Sequence, residues 1–251
     1  MTGPVAIVTG AARGIGCAIA GALAARGFAV AACDIDPAAG AAGIRPFAFD
    51  LADLDSHRRM VERIAGRFGR IDCVVHNAGV GARARGDLLD LSAENFDSLM
   101  RVNLRGTIFF SQATARWMRA HPPRHDEPPG RPAPRCQIFI TSVSATMASP
   151  ERADYCVSKS GLSMWAKALA LRLAGDAIAV FEVRPGIIRT AMTEAAADTH
   201  AARIAAGLVP AGRWGEPEDV ARIVAQLAGA DFAFATGSVI HADGALSVAR
   251  L

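Results

Sequence analysis

Two kinds of segment alternate along this chain almost without exception, and that alternation constrains its architecture more than any other feature. Residues 5–9, 29–34, 46–50, 71–78, 137–142, 178–184 and 238–241 read as short strands, several of them almost wholly apolar. Between them lie segments with apolar residues at helical spacing. These are 14–26 (Ile15, Ile19, Leu23), 54–68 (Met60, Val61, Ile64, Phe68), 92–120, 155–175 and 216–229, where Pro217 stands at a helix start that tolerates proline. A strand apolar on both faces must be covered on both, so the pattern predicts a parallel sheet with helices on either side. A barrel of eight repeats needs a similar alternation. Residues 34–50 leave room for only a turn or two of helix between the second and third strands.

With 251 residues, 51% of them hydrophobic, the chain can build one domain (1–251) with a sizeable core. The net charge of +3 comes from scattered arginines rather than a basic run, which argues against a nucleic-acid partner. Cys17, Cys33, Cys73, Cys136 and Cys156 form no C-x-x-C, so neither a disulfide framework nor a metal site is expected. The first residues lack a basic leader and run straight into a strand pattern. No stretch reaches the roughly 18 apolar residues of a membrane span. A soluble, cytoplasmic protein with no membrane partner is the expectation. Two segments break the regularity. Residues 119–135 are proline-rich and read as a surface loop, while 190–214 have few large apolar groups and read as a substrate lid following a strand's carboxyl end.

Thr9-Gly10-Ala11-Ala12-Arg13-Gly14-Ile15-Gly16 joins the first strand to the first helix. Gly10, Gly14 and Gly16 permit a tight turn, close approach of a pyrophosphate and close helix–strand packing. The free amides of the helix start, at Gly14 and Ile15, favour phosphate. This glycine loop decides against the barrel and for a doubly wound, Rossmann-type three-layer sandwich with a mostly parallel, seven-stranded sheet. Asp34 ends the second strand, where an acid can accept from ribose hydroxyls and repel a 2′-phosphate. That favours NAD over NADP, although Arg13 in the loop could reach a 2′-phosphate. Asp34 also reads as a turn former before Pro37.

Tyr155-Cys156-Val157-Ser158-Lys159 places a phenol and an ammonium at i and i+4 on one helix face, and Tyr155 is the only tyrosine in the chain. A free phenol with a pKa near 10 is a poor base at neutral pH. A nearby ammonium favours the phenolate. Ser142, thirteen residues earlier, ends a strand where a ligand would lie.

In these motifs and their order the chain resembles the short-chain dehydrogenase/reductase family, in its short single-domain branch. The resemblance runs through the glycine loop, Asp50-Leu51, Asn77-Ala78-Gly79, Val102-Asn103-Leu104-Arg105-Gly106, Ser142, Tyr155, Lys159, Pro185-Gly186-Ile187-Ile188-Arg189-Thr190, Ala235-Thr236-Gly237 and Asp243-Gly244. It implies an NAD(P)-dependent oxidoreductase acting on a ketone or secondary alcohol. Tyr155 is implied as the acid/base, Ser142 as a hydrogen-bond partner of the substrate oxygen, and Lys159 as a ribose ligand that lowers the tyrosine pKa. Asn103 is implied to open its helix and hold a relay water. Asp50 and Leu51 would flank the adenine, Asn77, Ala78 and Gly79 line the cofactor, and Pro185, Gly186, Ile188 and Thr190 contact the nicotinamide end. His76 stands where the family often has Asn and reads as a packing residue. Ala245 stands where it often has Gly, and Cys156 reads as an apolar filler.

Within the family the chain looks most like reductases of 3-oxoacyl thioesters, with an NAD-dependent sugar, polyol or other secondary-alcohol dehydrogenase as the alternative. A non-catalytic cofactor-binding regulator is a remote third reading. An acyl-carrier-protein partner is doubtful, because the helix of Lys159 ends Leu171-Arg172-Leu173-Ala174-Gly175-Asp176, with one arginine and an acid. Arg116, Arg119 and the proline-rich loop could substitute. The family also implies a homotetramer packed through its long helices.

Overall fold

Every strand that the described residues form is parallel to its neighbours. The computed structural model describes residues 3–82, 85–122, 135–194 and 196–250. The strands are β1 (Val5–Thr9), β2 (Ala29–Asp34), β3 (Ile44–Ala48), β4 (Cys73–His76), β5 (Cys136–Ile140), β6 (Ala179–Pro185) and β7 (Val239–Ala242). They make one seven-stranded sheet in the order β3-β2-β1-β4-β5-β6-β7. The sheet is open, with β3 and β7 as edges, so the barrel alternative falls. The helices are α1 (Gly14–Ala25), α2 (His57–Phe68), α3 (Ala93–Met100), α4 (Thr107–Ala120), α5 (Ala153–Leu173), α6 (Ala191–Glu194), α7 (Ala197–Ala205) and α8 (Pro217–Leu227).

Strand side chains alternate between faces, and both faces are buried. Ala6, Val8, Ile138, Ile140, Phe181 and Val183 pack with Ile19 and Leu23 of α1 and Val220 and Val224 of α8. Ile7, Val74, Phe139 and Val180 pack with Ile64 of α2, Phe110 and Met118 of α4 and Leu162 and Leu169 of α5. Phe110, Phe139 and Phe181 are wholly buried. Each such side chain contributes roughly 1.5–3 kcal/mol. A handful therefore matches the net stability of a typical domain, about 5–15 kcal/mol.

The structure corrects several boundaries, each for a local reason. No helix forms between β2 and β3; residues 35–43 cross as coil, being too few for a helix and its two turns. β3 begins two residues earlier than the pattern suggests and holds Pro46, which an edge strand tolerates because its missing N–H need not face a partner. β4 stops at His76 rather than at residue 78, because the amides of Asn77 and Ala78 both turn to Thr9 Oγ1, each at 3.1 Å.

The long helix starts as expected after Ser92, whose hydroxyl caps it by accepting from the Asn95 amide at 3.3 Å. It then loosens into a π-helical turn over Arg101–Gly106 before continuing as α4. Gly106 lies under the Leu51 carbonyl, and a Cβ there would overlap that oxygen. Of the proline-rich loop, residues 119 and 120 belong to α4, and 123–134 lie outside the described residues. The expected lid carries two short helices, α6 and α7. No helix among the described residues is long and apolar enough to cross a membrane.

Candidate active site

The sheet's order reverses between β1 and β4, and open α/β sheets bind ligands outside such a reversal. The loops after these two strands are stapled together there. Thr9 Oγ1 donates to the Val75 carbonyl at 3.3 Å, and the Asn77 side-chain amide donates to the carbonyls of Thr9 and Gly10, each at 3.0 Å. The Gly10 amide reaches Cys33 O at 2.8 Å, which ties the same loop to β2. Gly16 presses against the loop so closely that a Cβ would overlap the Gly10 carbonyl oxygen. Gly14 adopts a left-handed φ of 56°, and a Cβ there would sit 3.5 Å from the Thr190 methyl.

α1 begins without a side-chain cap and without an acid in its first turn; Arg13 precedes it in extended conformation. The first-turn amides, Ile15 among them, thus face no competing protein anion. This cradle of bare backbone fits the pyrophosphate of a dinucleotide.

The other cofactor candidates surround it. Asp34 accepts from the Ala12 amide at 3.0 Å and the Asp36 amide at 3.3 Å, so it both shapes the turn and places a carboxylate at the end of β2. Arg13 is exposed, and among the described residues it makes no ion pair with Asp34. Asp50 is exposed and braces Ala52, whereas Leu51 is buried and its carbonyl meets His57 Nε2 at 2.9 Å. Pro185 ends β6, and the Gly186 amide donates to Ala242 O at 3.0 Å. Ile188 is buried beside Gly215, and the Thr190 amide donates to Thr193 Oγ1 at 3.0 Å.

The catalytic candidates converge from three elements. Ser142 follows β5, accepts from the Ser144 amide at 3.1 Å, and its hydroxyl favours the ionised form of Tyr155. Tyr155 and Lys159 share a face of α5; Lys159 Nζ lies 5.7 Å from the tyrosine ring centre and donates to Ile140 O at 3.1 Å. Asn103 sits in the π-helical turn. Its amide accepts from the Val80 amide at 2.7 Å and donates to Val80 O at 2.9 Å and to Ser158 Oγ at 3.4 Å. The expected opening of the helix at Asn103 is thus present, with the side chain fully committed to its own chain. Gly79 joins the two ends of the site. A Cβ there would lie 3.3 Å from Asn103 Oδ1 and 3.6 Å from Lys159 Nζ.

Burial pushes the Tyr155 phenol above its ordinary value, while the Ser142 hydroxyl and the Arg152 guanidinium pull it down. Lys159 is itself pushed down to about 8 by burial, against the Glu182 carboxylate, which favours its charge. Arg152 Cζ, like Lys159 Nζ, lies 5.7 Å from the Tyr155 ring centre.

Sequence reasoning missed Arg152 and also the buried cluster behind the site. Glu182 on β6 accepts from Thr141 Oγ1 at 2.7 Å, from Ser163 Oγ at 2.8 Å and from Arg184 Nε at 2.7 Å. Thr141 immediately precedes Ser142, and Ser163 lies one helical turn beyond Lys159, so this carboxylate fastens β5 to α5 where the catalytic candidates leave them. The available signal was a Glu and an Arg two apart in an otherwise apolar strand.

The departures from the family resolve simply. His76 packs as expected, stacked 4.5 Å from Phe139 with Nε2 2.9 Å from Gln137 Oε1, and burial pushes its pKa down to about 4. Ala245 holds a left-handed φ of 67°, the conformation for which a glycine is suited. Cys156 is half-buried, its thiol 3.7 Å from Met147 O. Of the arginines suggested for carrier docking, Arg119 pairs with Asp176 at 2.8 Å, as does Arg172 at 3.0 Å, while Arg116 is exposed.

The family model described as enoyl-(acyl carrier protein) reductase matches residues 10–247. A 3-oxoacyl-(acyl-carrier-protein) reductase of Escherichia coli is 37% identical, over 97% of each chain. A D-threitol dehydrogenase of Mycolicibacterium smegmatis is 32% identical, over 99% of this chain and 94% of that one. The crystal structure of a 3-oxoacyl-(acyl-carrier protein) reductase from Brucella melitensis in complex with NAD is similar over 100% of both chains, with 52% identity and a TM-score of 0.93.

Proposed function

Because this chain belongs to the short-chain dehydrogenase/reductase family, as an oxidoreductase acting on C=O and CH–OH groups, we propose that it reduces a 3-oxoacyl compound to the 3-hydroxy compound with a nicotinamide cofactor, Tyr155 being the acid/base. The observation that carries this reading is the convergence of Ser142, Tyr155, Lys159 and Asn103 on one side of Gly79, opposite the bare glycine loop. A cofactor-binding regulator has no need of that set.

In reduction Tyr155 gives its proton to the carbonyl oxygen, and in oxidation it takes one from the alcohol. Ser142 donates to the same oxygen and holds it against the phenol. Lys159 binds the nicotinamide ribose, and Asn103 keeps Val80 and Ser158 in register behind it. The nicotinamide, when bound, carries the hydride to or from the substrate carbon. Gly10, Gly14, Ile15 and Gly16 hold the pyrophosphate, Asp50 and Leu51 flank the adenine, and Asn77, Ala78, Gly79, Pro185, Gly186, Ile188 and Thr190 line the remainder. Asp34 accepts from the adenosine ribose and disfavours a 2′-phosphate, so NAD is the working cofactor. α6 and α7 act as the substrate lid. Val157, Met164 and Leu171, seven residues apart on the exposed side of α5, supply an apolar stripe for homotetramer packing.

A second reading, a dehydrogenase of a free sugar, polyol or other small secondary alcohol, is favoured by the engagement of Arg119 and Arg172 with Asp176, which leaves an acidic carrier protein fewer cations to meet. A panel of 3-oxoacyl thioesters, oxo acids and polyols, each assayed with NAD(H) and NADP(H), separates the readings. Failure of every ketone and alcohol with both cofactors would sink the catalytic proposal.

A further inference from the structure

An arginine with no carboxylate partner among the described residues stands beside the catalytic ring. Arg152, three residues before Tyr155, holds its guanidinium 5.7 Å from the centre of the catalytic ring. Among the described residues its guanidinium makes only a long contact, 3.5 Å from Nε to Ser149 Oγ. Among the described residues it pairs with no carboxylate. Asp154, its acidic near neighbour, is buried and turned inward, accepting from the Tyr155 amide at 2.7 Å.

His200, on lid helix α7, stands edge-on to Trp214 with ring centres 5.6 Å apart, and its Nδ1 has no hydrogen-bond partner among the described residues. The charges that act on His200 are those of Arg85, Arg152 and Arg203, all of which disfavour its protonation together with burial. Arg85 and Arg203 are exposed and likewise pair with no carboxylate among the described residues. Cations that serve only as a solvated face are usually interspersed with acids. Here a loop, the lid and the turn before the catalytic helix each carry an arginine without a carboxylate partner among the described residues, and the charges of all three act on His200.

We propose that Arg152 pairs with a carboxylate of the substrate, so that the compound turned over at Tyr155 is an oxo or hydroxy acid with its acid group free. The inference rests on the reading of this site as a ketone/alcohol oxidoreductase and narrows its substrate class. Arg152 fixes the acid end while Ser142 and Tyr155 hold the carbonyl oxygen, and His200 with Arg85 and Arg203 completes the anionic subsite when the lid is down. A guanidinium offers a planar, two-pronged donor suited to carboxylate. A neutral ester or thioester of the same carbon skeleton lacks the charge that this donor set is built to meet.

The test compares 3-oxobutanoate with its methyl ester, with both nicotinamides, in the wild type, Arg152→Gln and Arg152→Lys. Removing the guanidinium also changes the electrostatics at Tyr155, and that effect falls on both substrates alike. The ratio of kcat/KM for acid over ester isolates recognition of the carboxylate. The expected result is a wild-type preference for the acid that drops about 10- to 100-fold in Arg152→Gln and returns in part in Arg152→Lys, which restores the charge without the planar fork. Equal turnover of acid and ester by the wild type, or a ratio untouched in Arg152→Gln, overturns the inference while leaving the oxidoreductase reading standing. No turnover of either compound with either cofactor overturns the inference, and the oxidoreductase reading falls only if the wider panel of ketones and alcohols fails as well.

Discussion

Replacing Glu182 by Gln tests whether the buried cluster on β6 is structural insulation or part of what keeps the catalytic helix in place. The amide is isosteric and can still meet Thr141 and Ser163, but the charge is removed and one of the two oxygens that accept from Arg184 becomes a donor. Arg184, 6% exposed, then keeps a buried guanidinium without its carboxylate. Breaking a buried pair from one side typically costs about 3–5 kcal/mol, because an uncompensated charge is left behind. Removing both charges in Glu182→Gln/Arg184→Met restores much of that loss, giving a coupling of at least about 2 kcal/mol in the double-mutant cycle. Urea unfolding at neutral pH measures all four corners.

A second readout separates support of the site from plain stability. Glu182 favours the charged form of Lys159, whose pKa burial has already pushed to about 8. Without the carboxylate that value moves lower still, and the limb of the pH–rate profile belonging to Lys159 shifts to the acid side. A Glu182→Gln variant within about 1 kcal/mol of wild type, with an unmoved pH profile, would refute the assignment.

Three further outcomes are expected. Tyr155→Phe retains nicotinamide binding, followed by fluorescence titration, and loses turnover by about 10²- to 10⁴-fold; turnover within threefold of wild type contradicts its role. Asp34→Ala weakens NAD and strengthens NADP in kcat/KM, and a wild type already faster with NADPH would show that Arg13 outweighs Asp34. His76, held down to about 4 from an ordinary 6.5, binds its proton more readily in the unfolded chain. The stability it contributes is therefore full above about pH 6.5 and fades as pH falls towards 4, a loss of about 3 kcal/mol. His76→Asn should flatten the urea midpoint across that window, and an equally steep profile in the variant would contradict the burial argument.

How much was legible beforehand follows from the range of each signal. β1 and β2 stand at their predicted bounds, because an apolar run closed by a glycine loop or by an acid is a local statement. The site residues also converge as expected, since strand ends in a parallel sheet share one edge. Arg152 escaped notice because an arginine three residues before a tyrosine resembles any solvated helix start. Its place 5.7 Å from the Tyr155 ring centre, with no carboxylate partner among the described residues, marks it out. Glu182 sat inside a strand read as apolar; its meaning depends on Thr141 and Ser163, 41 and 19 residues away, arriving on either side of it. The crossing between β2 and β3 was misjudged by length alone, and the π-helical turn left no trace in the apolar spacing, which does not register one extra residue.

That extra residue has a consequence for anyone engineering the protein. An α-helix advances about 100° per residue. Shortening Arg101–Gly106 by one position would let residues 93–120 wind as a single uninterrupted α-helix, with a tighter backbone ladder than the wild type has. The same deletion would rotate everything before it by that angle relative to the buried face of α4, where Phe110 and Met118 are fixed in the core. Asn103 would swing off Val80, and the loop bearing Gly79 would lose the residue it leans on. Helical regularity and a working site are alternatives at this one point of the chain. A directed-evolution campaign that selects only for heat resistance therefore has a downhill route to an inactive enzyme here, and selection for turnover is what keeps the dislocation in place.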